Sequence, residues 1–305
     1  MINVTVIGFG NAGSSLTLLL LKTQYALRLN IMEPDEQAEG AFLDLAHGMP
    51  LYQDKELNFN DEGLFLNSDF IFHTAGTPNV SGASRLSTAQ QNVALTKDIF
   101  EHRNFLKDPF IIVITNPVDL VAKAVNQYSG VPSEKIIGTG TFIDSMRLAY
   151  YLSTLSNYKA SDFDAFVLGE HGSSQVPIFS QTKLNGKPIF DDAGFSAKVL
   201  DLAAQLTRNA ANKIRETQTG TTYGVSKCAE SLMNYLLGNE EHLLTLSVLT
   251  DEHYRALLEL EHDIYISLPV KVKNGKVELF NELDFSKEEL DALRKSGSIL
   301  AAAAQ

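Results

Sequence analysis

Short apolar runs alternate with longer stretches of helical period through the first half of the chain. Val4-Thr5-Val6-Ile7 is β-branched, apolar and ended by Gly8, the pattern of a strand buried on both faces. Behind Ser14-Ser15, a Leu-rich stretch to Leu21 predicts a capped helix. A strand over 27–32 and a helix over 36–47 follow. Phe70-Ile71-Phe72 reads as a strand ending in Thr74-Ala75-Gly76, 88–106 as a long helix, and 110–114 as a strand stopping at Asn116-Pro117. Strand–helix alternation of this kind predicts a doubly wound parallel sheet.

The pattern changes near residue 140. Helical period returns over 144–155, and a strand over 165–168 runs into Gly169-Glu170-His171-Gly172. Asn185-Gly186 centres a hairpin over 182–189, and Asn274-Gly275 turns the segment 271–279. Helices are predicted over 196–216 and 223–237, with strands over 243–249 and 264–268. Ser286-Lys287-Glu288-Glu289 has the capping-box spacing that opens a final helix. No internal repeat is visible.

Composition narrows the classes. The 305 residues are 44% hydrophobic and 20% charged, enough for a large core and against disorder. Asp and Glu outnumber Lys and Arg 37 to 25, a net charge of −12. A nucleic-acid partner is therefore not expected. The single cysteine, Cys228, excludes an intrachain disulfide framework and suits a reducing compartment; on a helical pattern it reads as packed rather than reactive. The apolar runs are too short to span a bilayer, and no signal peptide precedes the first strand. The expectation is a soluble cytoplasmic protein without membrane contact.

Gly8-Phe9-Gly10-Asn11-Ala12-Gly13 is G-x-G-x-x-G, and here it closes a strand, opens a helix and is followed at a strand end by Glu33. That context is what a dinucleotide fingerprint requires. Glycines allow the tight turn and close backbone approach, and the helix N-terminus attracts the pyrophosphate. Glu33 can accept hydrogen bonds from ribose hydroxyls and would repel a 2′-phosphate, so NAD is expected over NADP. Gly76 joins this cofactor set. The fold class is therefore α/β: a Rossmann sheet over 1–142 that binds NAD, then a mixed α+β catalytic domain over 143–305.

Four ordered clusters carry a resemblance. They are Leu43-Asp44-Leu45-Ala46-His47-Gly48, Arg85 within Gly82-Ala83-Ser84-Arg85-Leu86, Asn116-Pro117-Val118-Asp119, and Asp144-Ser145-Met146-Arg147 with Gly169-Glu170-His171-Gly172. Together they resemble the L-lactate/malate dehydrogenase family over nearly the whole chain, closest to its L-lactate members. The resemblance implies an NAD-dependent enzyme interconverting a 2-oxo acid and an L-2-hydroxy acid. His171 would supply the proton, Asp144 would orient its ring and stabilise the imidazolium, and Arg85 would polarise the reacting carbonyl. Arg147 offers a planar fork for the substrate carboxylate. Asn116 resembles the polar residue near carbonyl and nicotinamide, and Thr221 the pocket threonine. The polar segment 77–87, which contains Gly82, reads as a lid carrying Arg85. His47, His73, His102, His242, His253 and His262 show no metal-ligand spacing, and no metal is expected.

In this family the residue six positions before the lid arginine distinguishes substrates, Gln in lactate enzymes and Arg in malate enzymes; here it is Asn79. Without a cation there, the second carboxylate of oxaloacetate would be unpaired, at a cost of several kcal/mol. Pyruvate is expected first, with activity on longer aliphatic or aromatic 2-oxo acids as the alternative. Members activated by fructose 1,6-bisphosphate carry Arg and His where this chain has Ala149 and Asp164, so no allosteric response is expected. Self-association as a homotetramer or a homodimer is implied, and both stay open. An NAD-dependent glycosidase, which needs a metal, and a non-catalytic NAD sensor are the rival classes. The lone Cys228 and the absence of a Cys/His ligand cluster argue against the first, and a sensor would have little reason to retain His171, Asp144, Arg85 and Arg147 together.

Overall fold

The computed structural model describes residues 1–77 and 85–303, apart from the side chains of 85–87. Asn79 and Gly82, and with them most of the predicted lid, lie outside the described residues. The apolar runs form six parallel strands: β1 (Ile2–Ile7), β2 (Leu27–Met32), β3 (Lys55–Phe59), β4 (Phe70–His73), β5 (Phe110–Val113) and β6 (Ile136–Gly138). Their spatial order, β3-β2-β1-β4-β5-β6, reverses direction between β1 and β4, and ligands of open α/β sheets bind at that switch point. The intervening helices are α1 (Asn11–Leu21), α2 (Ala38–His47), α3 (Glu62–Leu66), α4 (Arg85–Phe100), α5 (Val118–Tyr128) and α6 (Phe142–Thr154).

Alternation along each strand feeds two cores. Val4, Val6, Phe70, Phe72 and Ile112 belong to one apolar cluster, while Ile7, Ile71, Ile111 and Val113 belong to the other. Burial on both faces is why these strands read as unbroken apolar runs. Strands β3 and β6 and helix α5 were not predicted. Lys55-Glu56-Leu57-Asn58-Phe59 carries polar residues suited to an edge, and β6 has three residues. Helix α4 starts at Arg85 and stops at Phe100 rather than covering 88–106. His102, with φ of 65°, breaks the helical path two residues later.

The second half contributes β7 (Phe163–Asp164), β8 (Val167–Leu168), β9 (Val176–Pro177), β10 (Lys183–Leu184), β11 (Lys187–Pro188), α7 (Ala197–Arg215), α8 (Tyr223–Leu237), β12 (His242–Leu249), α9 (Glu252–Leu257), β13 (Tyr265–Lys273), β14 (Lys276–Leu279) and α10 (Lys287–Ala303). Of the strand predicted over 165–168, the second half forms as β8, while β7 lies just before it. Side chains of α6 and its N-cap take up the backbone of Val167: its N–H donates to Ser145 Oγ at 2.9 Å, and its carbonyl accepts from Thr141 Oγ1. Both Asn-Gly turns are present with left-handed φ at each residue, 50° and 77° at Asn185-Gly186 and 50° and 69° at Asn274-Gly275. That geometry matches strand twist in a two-residue hairpin. The capping box also forms, Glu289 N–H donating to Ser286 Oγ and Ser286 N–H to Glu289 Oε2.

The parallel sheet does not end at β6. Strand β12 pairs antiparallel with it, followed by β13 and β14, so one nine-stranded sheet runs through both halves. The junction is the pair Ser247 and Gly138. A Cβ on Gly138 would lie 2.8 Å from Ser247 Cβ and 2.8 Å from Val118 Cγ2, so only glycine fits. Gly138→Val is expected to cost about 1–3 kcal/mol through overpacking, read as a lower thermal midpoint; an unchanged midpoint would refute the tight junction.

Candidate active site

The glycine loop is shaped by contacts a side chain would destroy. Gly8 has φ of 91°, and a Cβ there would sit 2.7 Å from the Ala75 nitrogen. On Gly13 the added carbon would lie 2.0 Å from the Gly8 carbonyl oxygen. At Gly10, the N-cap of α1, a Cβ would meet nothing within 4 Å. That open face at a helix N-terminus with no side-chain cap is where a pyrophosphate approaches the backbone. Glu33 ends β2, takes a 2.8 Å hydrogen bond from Phe9 N–H, and is half-buried beside the loop. Asn11 and Ala12 are tied to the second half: Asn11 Nδ2 donates to Thr219 Oγ1 at 2.9 Å, and Ser226 Oγ donates to the Ala12 carbonyl at 3.0 Å.

Asn92 makes the next link. Its buried amide accepts from Thr77 N–H at 2.7 Å and donates to the Asn116 carbonyl at 2.6 Å. It thus joins the segments that follow β4 and β5, one strand over from the switch point. Gly76 lies under this bridge, where a Cβ would press on Thr115 Cγ2 at 2.7 Å. The cradle, its open face and the ribose-side carboxylate fit an NAD molecule, which would lie over Gly8–Gly13 with its adenosine toward Glu33.

The second cluster is electrostatic. Asp144 and Arg147 stand three residues apart on α6, and Arg147 Nη1 donates to Asp144 Oδ1 at 2.8 Å. The other oxygen, Oδ2, is 2.7 Å from His171 Nδ1. The Asp144 carboxylate is 1% exposed, whereas the His171 ring is 21% exposed. Burial works against the charged form of both groups, yet His171 and Arg147 hold the Asp144 pKa below its ordinary value. Likewise burial depresses His171, but the Asp144 charge and hydrogen bond outweigh it and raise the imidazole pKa. An ionised carboxylate on Nδ1 fixes the tautomer and leaves Nε2 as the titrating atom.

A residue overlooked in the sequence holds the histidine from behind. Asp119, buried on α5, accepts from His171 N–H at 3.2 Å and from Ser247 Oγ at 2.6 Å. Burial pushes its pKa up to about 6, against the opposing pull of the Ser247 hydrogen bond and His171. Its motif was visible as Asn116-Pro117-Val118-Asp119; the partner 52 residues away was not.

The second cluster opens on a cleft of about 560 Å³, whose lining includes Asn116, Asp144, Arg147, His171, Arg208 and Leu300. The glycine loop is not part of that lining; the link to it is Asn116, whose carbonyl accepts from Asn92. Arg85 opens α4, whose buried Ala89 also lines the cleft. Thr221 is half-buried ahead of α8 and is not among the lining residues. Cys228 is packed in α8, and burial pushes its thiol up to about 12. Among the described residues no group of three His, Cys, Asp or Glu side chains could hold a metal ion. No described helix is long and apolar enough to cross a membrane.

A dinucleotide cradle in one half of the chain and a histidine–carboxylate couple in a cleft of the other define an NAD-dependent oxidoreductase. Residues 2–138 match the model of the lactate/malate dehydrogenase NAD-binding domain, and residues 141–305 that of the same family's α/β C-terminal domain. The chain belongs to the lactate/malate dehydrogenase family. It is 30% identical to an L-lactate dehydrogenase of Priestia megaterium, over 97% of this chain and 94% of that protein. It is 30% identical to one of Kosmotoga olearia over 98% and 94%. A crystal structure of the minor L-lactate dehydrogenase of Enterococcus mundtii in ligand-bound form superposes with a TM-score of 0.90 at 27% identity, covering 99% of this chain and 97% of that one.

The couple carries a pH consequence. A raised imidazole pKa keeps His171 protonated above its usual range, so a reduction that draws its proton from this ring should be full below that value and fall as pH rises through it. Asp144→Asn removes the charge and leaves burial unopposed. The alkaline limb of kcat/KM for reduction should move down by roughly 1–2 pH units. A limb that stays in place would overturn this account of the couple.

Proposed function

We propose that the chain reduces a small 2-oxo monocarboxylate, pyruvate first, to the L-2-hydroxy acid, and catalyses the reverse oxidation. The observation that carries this reading is the single buried carboxylate of Asp144 shared by an imidazole and a guanidinium. The two side chains lie side by side in one cleft, which supports reading His171 as the proton donor and Arg147 as the carboxylate receptor. NADH, when bound, supplies the hydride to the carbonyl carbon. His171 gives the proton from Nε2 to the carbonyl oxygen, and Asp144, through Nδ1–H, orients the ring and stabilises the imidazolium that precedes the transfer. Arg147, held at one Nη by Asp144, receives the substrate carboxylate. Arg85, at the head of α4, polarises the carbonyl, and Asn116 flanks it at the end of β5. Thr221 is assigned to the pocket on resemblance alone.

Substrate choice falls to Asn79. A neutral amide there leaves the second carboxylate of oxaloacetate without a partner, which disfavours malate chemistry. Because Asn is shorter than Gln, longer aliphatic or aromatic side chains form the second reading, supported by the 560 Å³ of the cleft. A homotetramer or homodimer in the cytoplasm belongs to the same proposal. Exposed Leu51 and Tyr223, 88% and 72% accessible, support self-association, and a buried thiol suits a reducing compartment.

Oxidation of NADH followed across a panel of 2-oxo acids tests the function. Pyruvate should exceed oxaloacetate in kcat/KM, and Asn79→Arg should reverse the order; a wild-type preference for oxaloacetate would sink the reading. Regulation is tested separately. Ala149 is buried on α6 and Asp164 exposed on β7, so this pair supplies no cation for a sugar bisphosphate. Pyruvate saturation curves with and without fructose 1,6-bisphosphate should coincide, and a strong leftward shift would refute the non-allosteric assignment.

A further inference from the structure

The loop that carries His171 is held by a hydroxyl from the opposite end of the chain. Ser296 lies in the middle of α10 with no exposed surface. Its Oγ accepts from Glu170 N–H at 2.8 Å and is 3.0 Å from Ser174 Oγ. Ser174 Oγ also bonds Glu170 Oε2, and Ser174 N–H donates to the same oxygen at 3.1 Å.

Donor and acceptor counting fixes the direction of this chain. An ionised Glu170 carboxylate only accepts, so the Ser174 hydroxyl proton goes to it. Ser174 Oγ then has no proton left for its neighbour, and Ser296 must donate. Ser296 thus accepts from the residue before His171 and donates to the residue three after it, closing a ring around the histidine. Such directional networks strengthen each member and specify one backbone path. The fit is also steric. Gly169 has φ of 90°, and a Cβ on it would lie 2.7 Å from Ser296 Oγ.

We propose that Ser296 is a positioning residue for proton transfer: through Glu170 and Ser174 it sets the place of His171 against Asp144. Helix α10 is then part of the active site, as its cleft-lining Ile299, Leu300 and Ala303 also indicate. The proposal rests on reading His171 as the proton donor. Charged groups facing the histidine are Asp144 and Arg147 from α6, Asp119 from α5 and Glu170 from its own loop. Arg208 and Arg215 of α7 line the same cleft. Among the described residues, α10 and β12 bring only the hydroxyls of Ser296 and Ser247 to this network.

Ser296→Ala, Ser174→Ala and the double variant test it, each assayed with pyruvate and NADH and titrated for NADH binding. Ser296→Ala should lower kcat about ten- to hundredfold, the scale of a misplaced catalytic group, with the NADH Kd within about twofold. The alkaline limb should shift down as the imidazole loosens from Asp144. The double variant should lose little more than Ser296→Ala alone, as expected of one network. Wild-type kcat with an unmoved limb in Ser296→Ala would overturn the proposal, as would losses that simply multiply. If Ser296→Ala unfolds, Ser174→Ala carries the same outcomes. His171→Gln separates the two levels: wild-type turnover in it overturns the donor assignment, whereas its inactivation beside a fully active Ser296→Ala overturns only the role of Ser296.

Discussion

One buried negative charge organises the chemistry of this protein. Asp144 is almost wholly removed from water, which for a lone carboxylate would be prohibitive. It is tolerated because each oxygen has a charged or chargeable partner, Arg147 on its own helix and His171 on a loop 27 residues away. The local pair forms as α6 winds; the distant one needs the loop beyond β8 brought against that helix. Removing either partner leaves the charge undercompensated, so the stability of the couple and its proton affinity have the same origin.

Around that charge the supports are arranged by distance from the reacting centre. The ring of His171 meets Asp144, its backbone meets Asp119, and Asp119 is pinned to β12 by Ser247. On the cofactor side, Asn92 ties together the segments that follow β4 and β5. Each of these hydrogen bonds has at least one buried partner, Asp144, Asp119, Ser247 or Asn92, so each is costly to lose. The histidine is thereby held in position before any ligand arrives.

Local signals in the sequence mark part of this and long-range ones do not. The glycine loop, Glu33, both Asn-Gly turns and the Ser286 cap announce themselves because their physics is contained in a few consecutive residues. Asp144 and Arg147 are visible as a helical pair for the same reason. Ser296 resembles any small polar residue on a helix, and Asn92 any mid-helix amide. Their value comes from partners far away in the chain, including the 126 residues that separate Ser296 from Glu170. Edge strand β3 and the three-residue β6 were missed because neither contains enough apolar residues to stand out. The strand over 165–168 formed only in its second half, as the two-residue β8 paired with β9.

The continuous sheet has a consequence for how this chain can be cut. At β6 the cofactor-binding half presents one row of unpaired amides and carbonyls, and β12 is what covers it. Severed near residue 140, the first piece would keep its glycine cradle but expose β6 as a sheet edge open to any other strand. The second piece would lose the Asp119 carboxylate that accepts from the His171 backbone. Each fragment keeps its own recognisable pattern but loses a contact that the other supplies. Whatever rearrangement accompanies turnover is therefore to be sought in segments outside the slab rather than in a hinge across it.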